Sequence, residues 1–194
     1  MKTRILLCIT VISFLLFGFN VPLTKTYKVD KQKTTITVNG TSNLHNWETS
    51  VTNFDGDLCV QVGDNNTIEA ISSLNVNFYA KSFSSGKSIM DNKTTEALKA
   101  DTYPLIIFKL TKITDKKMIN KVEQFTASGN LMIAGKTKDV SLTAYSTIGA
   151  NGEVYFQGTK VIDMTEYGVV PPTALLGTLT TGKEVTVTFK LYFL

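Results

Sequence analysis

The sequence predicts an all-β fold, an antiparallel barrel or sandwich, and three observations carry that prediction. From Thr34 onward the apolar residues recur at every second position in short runs, as in Leu74, Val76 and Phe78 or Val185, Val187, Phe189 and Leu191. That is the period of a strand with one dry and one wet face. Clusters of turn formers separate the runs, and with strands this numerous and connections this short, antiparallel neighbours are expected. Only two stretches break the pattern, one of helical character and one irregular.

Taken in order, residues 1–20 read as a signal peptide. Lys2 and Arg4 precede an uncharged apolar run from Ile5 to Phe19, shorter than the ~20 residues that span a bilayer. Cleavage is expected near Gly18 to Asn20, leaving one domain over 21–194 with room for a sizeable core. Cys8 goes with the leader. Cys59 is then a lone thiol, expected to be buried and structural, so packing and sheet hydrogen bonds must hold this exported domain without an internal disulfide.

The first strands carry Ile36 and Val38, and a hairpin follows at His45 and Trp47. Turns are expected at Asp55-Gly56, Gly63 to Asn66, Asp115 to Lys117, Ala150-Asn151-Gly152 and Thr181 to Lys183. Asn151-Gly152 is the strongest hairpin signal, because Asn-Gly supplies the positive φ angles of a tight turn. Between Ser88 and Ala100 the β-branched residues thin out, which predicts a short helix over about 88–100, stopped before Tyr103-Pro104. Asp163 to Leu179 mixes apolar residues with Pro171-Pro172 and predicts a loop folded over a barrel mouth.

Charge and residue types exclude several functions. The precursor carries +4, but removing Lys2 and Arg4 leaves 18 basic groups against 16 acidic ones, or +2. Arg4 is the only arginine, so the mature chain has no guanidinium fork for phosphate or guanine, and no nucleic-acid partner is expected. His45 is the only histidine, and the acidic residues form no spaced cluster, so no metal site is expected. No nucleophile elbow surrounds any serine, and no catalytic residue is assigned. Gly135 to Lys138 lacks the spacing of a phosphate loop and reads as a hairpin turn.

What remains is the apolar inner face. Strand parity places Val76, Phe78, Phe108, Leu110, Leu131, Ile133, Leu142, Phe156, Val187 and Phe189 inside, with Asn75, Asn77 and Gln157 on the wet face. An eight-stranded barrel lined this way is either filled by these side chains or wide enough for one ligand. His45 and Trp47 either close their hairpin or touch a ligand head group at the mouth.

Three segments carry a resemblance that bears on this choice. They are Gly40-Thr-Ser-Asn-Leu-His-Asn-Trp-Glu48, Leu98-Lys-Ala-Asp-Thr-Tyr-Pro-Leu-Ile-Ile-Phe108, and Ala127-Ser-Gly-Asn-Leu-Met-Ile-Ala-Gly-Lys-Thr-Lys-Asp-Val140. Together with Tyr167-Gly168 after Asp163, they resemble the YceI-like family from about Tyr27 to Leu194. The resemblance implies a single eight-stranded lipocalin-like barrel whose elongated apolar cavity holds a polyisoprenoid, quinone-like or other long-chain lipid. It implies a non-catalytic carrier in the periplasm or beyond the cell, with no catalytic cofactor and with a membrane protein as transient donor or acceptor. Two alternatives are an integral outer-membrane barrel, since alternating strands and a C-terminal Phe193-Leu194 suit one, and a filled-core interaction domain with no ligand.

Overall fold

The computed structural model describes residues 24–63 and 66–194. The leader predicted over 1–20 lies outside the described residues. The chain forms β1 (Thr24–Lys28), β2 (Thr35–Ser42), β3 (Trp47–Val51), β4 (Phe54–Val62), β5 (Ile68–Tyr79) and β6 (Phe83–Ser84). Helix α1 (Ser88–Ala97) follows, then β7 (Leu105–Ile119), β8 (Val122–Ile133), β9 (Lys136–Ile148) and β10 (Val154–Asp163). A two-residue strand, β11 (Thr173–Ala174), and the long β12 (Leu179–Phe193) complete it. The strands form one curled antiparallel sheet in the order β1-β4-β5-β7-β8-β9-β10-β12-β2-β3-β6, with β11 paired only to β12.

That path holds eleven strands, where eight were expected. The surplus comes from bends. β3 passes into β4 across Thr52-Asn53, and β5 passes into β6 across a 3-10 turn at Ala80–Ser82. The two bends face each other and stay bonded: the Thr52 N–H donates to the Ser82 carbonyl at 2.9 Å, and the Tyr79 N–H to the Asn53 carbonyl at 3.1 Å. β1 and β2 flank a turn in which the Asp30 carboxylate accepts the N–H groups of Gln32 and Lys33 at 2.8 and 3.2 Å. Bends of this kind let a sheet curl without losing its ladder. β1 also meets the end of β12, where Lys28 and Leu194 exchange backbone bonds of 2.8 Å.

Three expected turns fall inside strands. Asp55-Gly56 lies in β4, where a Cβ on Gly56 would stand 2.7 Å from the Asn75 carbonyl oxygen, so the glycine serves close strand approach. Asp115 to Lys117 lies in β7, which runs on to a tight turn at Asn120-Lys121 with φ of 49° and 68°. Its charges are tolerated because they are paired, Lys116 to Glu123 at 2.9 Å and Lys117 to Asp115 at 3.1 Å. Thr181 to Lys183 is an irregularity in the β12–β2 register. Ala150 to Gly152 does turn the chain, but only Gly152 has a positive φ, 84°, so the turn is wider than a two-residue Asn-Gly turn.

The helix ends earlier than 100, with the Leu98 N–H bonded to the Thr94 carbonyl and Lys99 at φ 52°. None of its residues is buried. Cys59 is half-buried on the outer face of β4, its Sγ 3.9 Å from the Thr26 hydroxyl, and not in the core as expected.

Two apolar clusters stand at opposite ends of the barrel. One is a packed floor in which Leu58, Val60, Ile68, Val154 and Phe193 have no exposed surface. Rings from three strands meet edge to face there, Phe125 with Phe156 and Phe156 with Phe193, each pair 6.3 Å between centroids. The other gathers Ile106, Leu131, Ile133 and Ile162 with Met164, Tyr167 and Val169 of the late loop, and Ala97 and Leu98 of the helix end pack against it.

Candidate functional site: the barrel cavity

Between the two clusters lies a cavity of about 670 Å³. That is within the ~300–1,000 Å³ typical of small-molecule sites. Its walls come from the inner faces of β2, β3, β5, β7, β8, β9, β10 and β12, because alternation sends every second side chain of each strand to one side.

Glycines on that face help to keep it hollow. Gly129 pairs with Leu110 beside Phe108, and a Cβ there would stand 2.6 Å from the Phe108 ring; at Gly158 it would stand 2.7 Å from the Phe189 ring. Gly40 is covered in the same way by the indole of Trp47, its cross-strand partner. Each ring therefore lies over a glycine, against the wall. Phe78, Phe108, Leu110, Leu142, Val187 and Phe189 point inward yet are only half-buried, as side chains facing a space must be.

The mouth is built from three pieces. α1 presents Met90, Lys93, Thr94 and Ala97 to the cavity, the spacing of one helical face, with Ile89 and Lys87 at its start. The Asp91 carboxylate ties the helix to the preceding loop by accepting the Ser85 N–H at 2.7 Å and hydroxyl at 2.6 Å. The β2–β3 tip is fastened to the late loop through Asn43, which donates to the Thr178 carbonyl at 2.8 Å and accepts the Thr180 N–H at 3.0 Å. The late loop itself is pinned by Asp163, whose carboxylate accepts from the Thr165 N–H at 2.9 Å and from Lys183 Nζ at 2.8 Å. The Lys183 hydrogen bond, then that from Thr165, holds the Asp163 carboxyl down at about 2.

All ten residues expected inside border this cavity, and so do His45 and Trp47 at its mouth. Trp47 donates from Nε1 to the Thr41 carbonyl at 3.1 Å. His45 is exposed, and its Nδ1 lies 2.9 Å from the Asn46 carbonyl, so that nitrogen carries the proton. Sequence reasoning left out much of the remaining wall. Parity extended along the same strands would have found Val38, Ile106, Val140, Ile162 and Val185. It would also have found Lys160, four residues beyond Phe156 on β10 and therefore on the same face.

The arrangement offers an apolar chamber with a closed floor and a mouth edged by a lightly held helix. Charged residues bordering it are Lys87, Lys93 and Lys160, and no carboxylate does so among the described residues.

Known proteins share this fold. The chain superposes on BcnA of Burkholderia cenocepacia with a TM-score of 0.64 at 20% identity, covering 84% of this chain and 98% of that one. A polyisoprenoid binding domain from Saccharophagus degradans, implicated in plant cell wall breakdown, superposes with a TM-score of 0.65 at 11% identity over 86% of this chain and 97% of its own. The YCEI protein of Campylobacter jejuni gives 0.56 at 17% identity, over 74% and 82%. At such identities the likeness is one of fold. None of the curated proteins matches the chain. The YceI-like domain matches residues 27–193, which take in the whole cavity wall, and the chain belongs to the family of YceI-like domains.

Proposed function

We propose that this protein is an exported, non-catalytic carrier that holds the apolar chain of a polyisoprenoid, a quinone-like lipid or another long-chain lipid inside the barrel. The observation that carries the reading is the chamber of about 670 Å³ with apolar walls, a packed floor and a mouth. Chain burial supplies the driving force, at ~25 cal/mol for each Å² of apolar surface removed from water. The Saccharophagus degradans neighbour, a polyisoprenoid binding domain, supports the same ligand class. Export rests on the leader at 1–20, and the periplasm or extracellular space is where a lipid needs such a carrier between a membrane-bound donor and acceptor.

The outer wall argues against the barrel itself spanning a bilayer. One outward row reads Lys28, Asp57, Asn75, Lys109, Asn130 and Asp139 across six strands, and another reads Thr159, Thr188, Thr37, Ser50 and Ser84. A lipid-facing band has apolar residues at such positions.

The test is native mass spectrometry of protein purified from the envelope fraction, followed by organic extraction. A stoichiometric long-chain lipid is expected. Protein that is monodisperse and empty, and stays empty when offered quinones, prenyl lipids and fatty acids, would overturn the reading in favour of an interaction domain.

A further inference from the structure

We propose that the carried lipid has an anionic head group, a carboxylate or a phosphate, and that Lys160 holds it within the barrel; this rests on the carrier reading above. On β10 the inward positions are Val154, Phe156, Gly158, Lys160 and Ile162, so the pleat sends the Lys160 side chain to the cavity side. Lys87 and Lys93 reach the cavity from the helix region at its edge. Lys160 is the one charged residue that a strand presents to it, among the described residues.

Its depth follows from the register. Lys160 pairs with Val187, Val187 with Val38, and Val38 with Thr49, so these four residues form one level around the wall. Ile162, Val185, Gly40 and Trp47 form the next level toward the mouth. Two residues along a strand span ~6.6 Å, so the backbone of Lys160 sits a full level inside the tryptophan.

Two groups on this level lack partners. No carboxylate oxygen lies within 4 Å of Lys160 among the described residues, whereas Lys93 has Glu96 at 3.6 Å and Lys116 has Glu123 at 2.9 Å. Thr49, only 3% exposed, borders the cavity from the same level, and its hydroxyl, closed off behind the wall surface, makes no hydrogen bond among the described residues. Buried polar groups are normally bonded, and an ammonium facing apolar walls is costly unless an anion meets it. An unpaired cation facing the space, with an unbonded hydroxyl behind the wall on the same ring, is what an oxyanion head would satisfy, the first by a charge-assisted bond and the second after a turn of the Thr49 side chain.

The experiment uses Trp47, the sole tryptophan, which borders the cavity one level above, as a fluorescence reporter. Two matched pairs are titrated: palmitate against hexadecanol, and farnesyl phosphate against farnesol. Wild-type protein is expected to bind at least one anion about tenfold or more tightly than its alcohol, and which pair shows the preference separates carboxylate from phosphate. Lys160→Met keeps most of the length of the side chain and removes the charge. It should abolish the preference while leaving alcohol affinity within about twofold, whereas Lys160→Arg should retain it and Thr49→Val should narrow it. A preference that survives in K160M, or an equal loss for anion and alcohol, would overturn the inference. Equal wild-type binding of anions and alcohols would overturn it and leave the carrier standing. Failure of all four ligands to bind would sink both. Thermal melting of each variant shows that it is folded before its affinities are compared.

Discussion

The floor and the chamber are made by the same strands with the same alternation, yet one is solid and the other hollow. β12 contributes Leu191 and Phe193 to the floor, both buried, and Val185, Val187 and Phe189 to the chamber, all half-open. β10 does the same with Phe156 and Lys160. Alternation decides which face a side chain takes. Whether that face is filled depends on what the neighbouring and opposite strands contribute at the same level. In the floor, rings from β8, β10 and β12 meet one another. In the chamber, glycines receive the rings of Trp47, Phe108 and Phe189 along the wall.

The sharpest way to break this comparison is to truncate one residue in each region. Phe193→Ala removes a side chain with no exposed surface and leaves a void among fixed neighbours, an expected loss of about 3–5 kcal/mol. Leu142→Ala removes atoms that already face space, and should cost only about 1–2 kcal/mol. Denaturant unfolding of both variants decides it, and equal losses would mean that the chamber is packed as tightly as the floor.

Next in size is the ion pair beside the floor rings. Glu123 is buried on the inner face of β8, where it accepts the Ile68 N–H at 3.0 Å and pairs with Lys116, which also donates to the Ile68 carbonyl and lies over the Phe125 ring. Lys116→Met strands that carboxylate. The expected cost is about 2–4 kcal/mol, short of the full penalty for a buried pair because the Lys116 side chain is 37% exposed. Glu123→Gln in the same chain should recover part of the loss. A single variant as stable as wild type would show that the pair does not secure this end of the barrel.

Gly158→Ala sharpens the comparison from the chamber side. The new methyl would stand 2.7 Å from the Phe189 ring and 2.6 Å from the Thr143 carbonyl, so the ring must leave the wall for the lumen. Stability should fall by about 1–3 kcal/mol, as for overpacking elsewhere. Long-chain affinity should fall more than that of a short chain, which isothermal titration with chains of two lengths would measure. Equal effects on both chains would mean that the ring is displaced away from the cavity.

Much of this contrast was hidden in the sequence for physical reasons. Period-two patterning from Leu74 to Phe78 and from Val185 to Leu191 places side chains on the inner face directly, because the pleat leaves no other choice. It cannot separate a lining from a core, since phenylalanine serves both. The contacts that keep the chamber open join residues far apart in the chain, Gly129 with Phe108 and Gly158 with Phe189, and emerge only once the register is known. Charged and glycine-containing stretches misled in one direction. Asp115 to Lys117 reads as a turn by residue type, while tertiary partners hold it in β7. Lys160 stands at an inward position by parity, but a lone charge in a strand gives no sign of whether it meets solvent or a cavity until the barrel closes.

The smallest expected effect concerns the mouth, where a few polar contacts do what ring packing does in the floor. Asp163 joins the late loop to β12 through Lys183 and Thr165, and its carboxyl titrates at about 2 in the folded protein against an ordinary 3.8. A carboxylate with a depressed folded value stabilises the native state above the unfolded value and loses that contribution as pH falls toward the folded one. Between pH 5 and 7 the anchor is therefore constant, and it weakens below about 4 toward 2. The pair lies at the surface, with Asp163 half-buried and Lys183 exposed, so solvent screens it and global stability should barely register it. Protection factors of the amides over residues 163–169, with the intrinsic pH dependence of exchange divided out, should fall through that window, while those at Leu58, Val60 and Phe193 in the floor change less. Asp163→Asn should lower the loop's protection already at neutral pH and abolish the acid dependence of that protection. If loop and floor instead lose protection together as the pH falls, the mouth does not open separately from the floor, and lipid entry through it would require unfolding of the whole barrel.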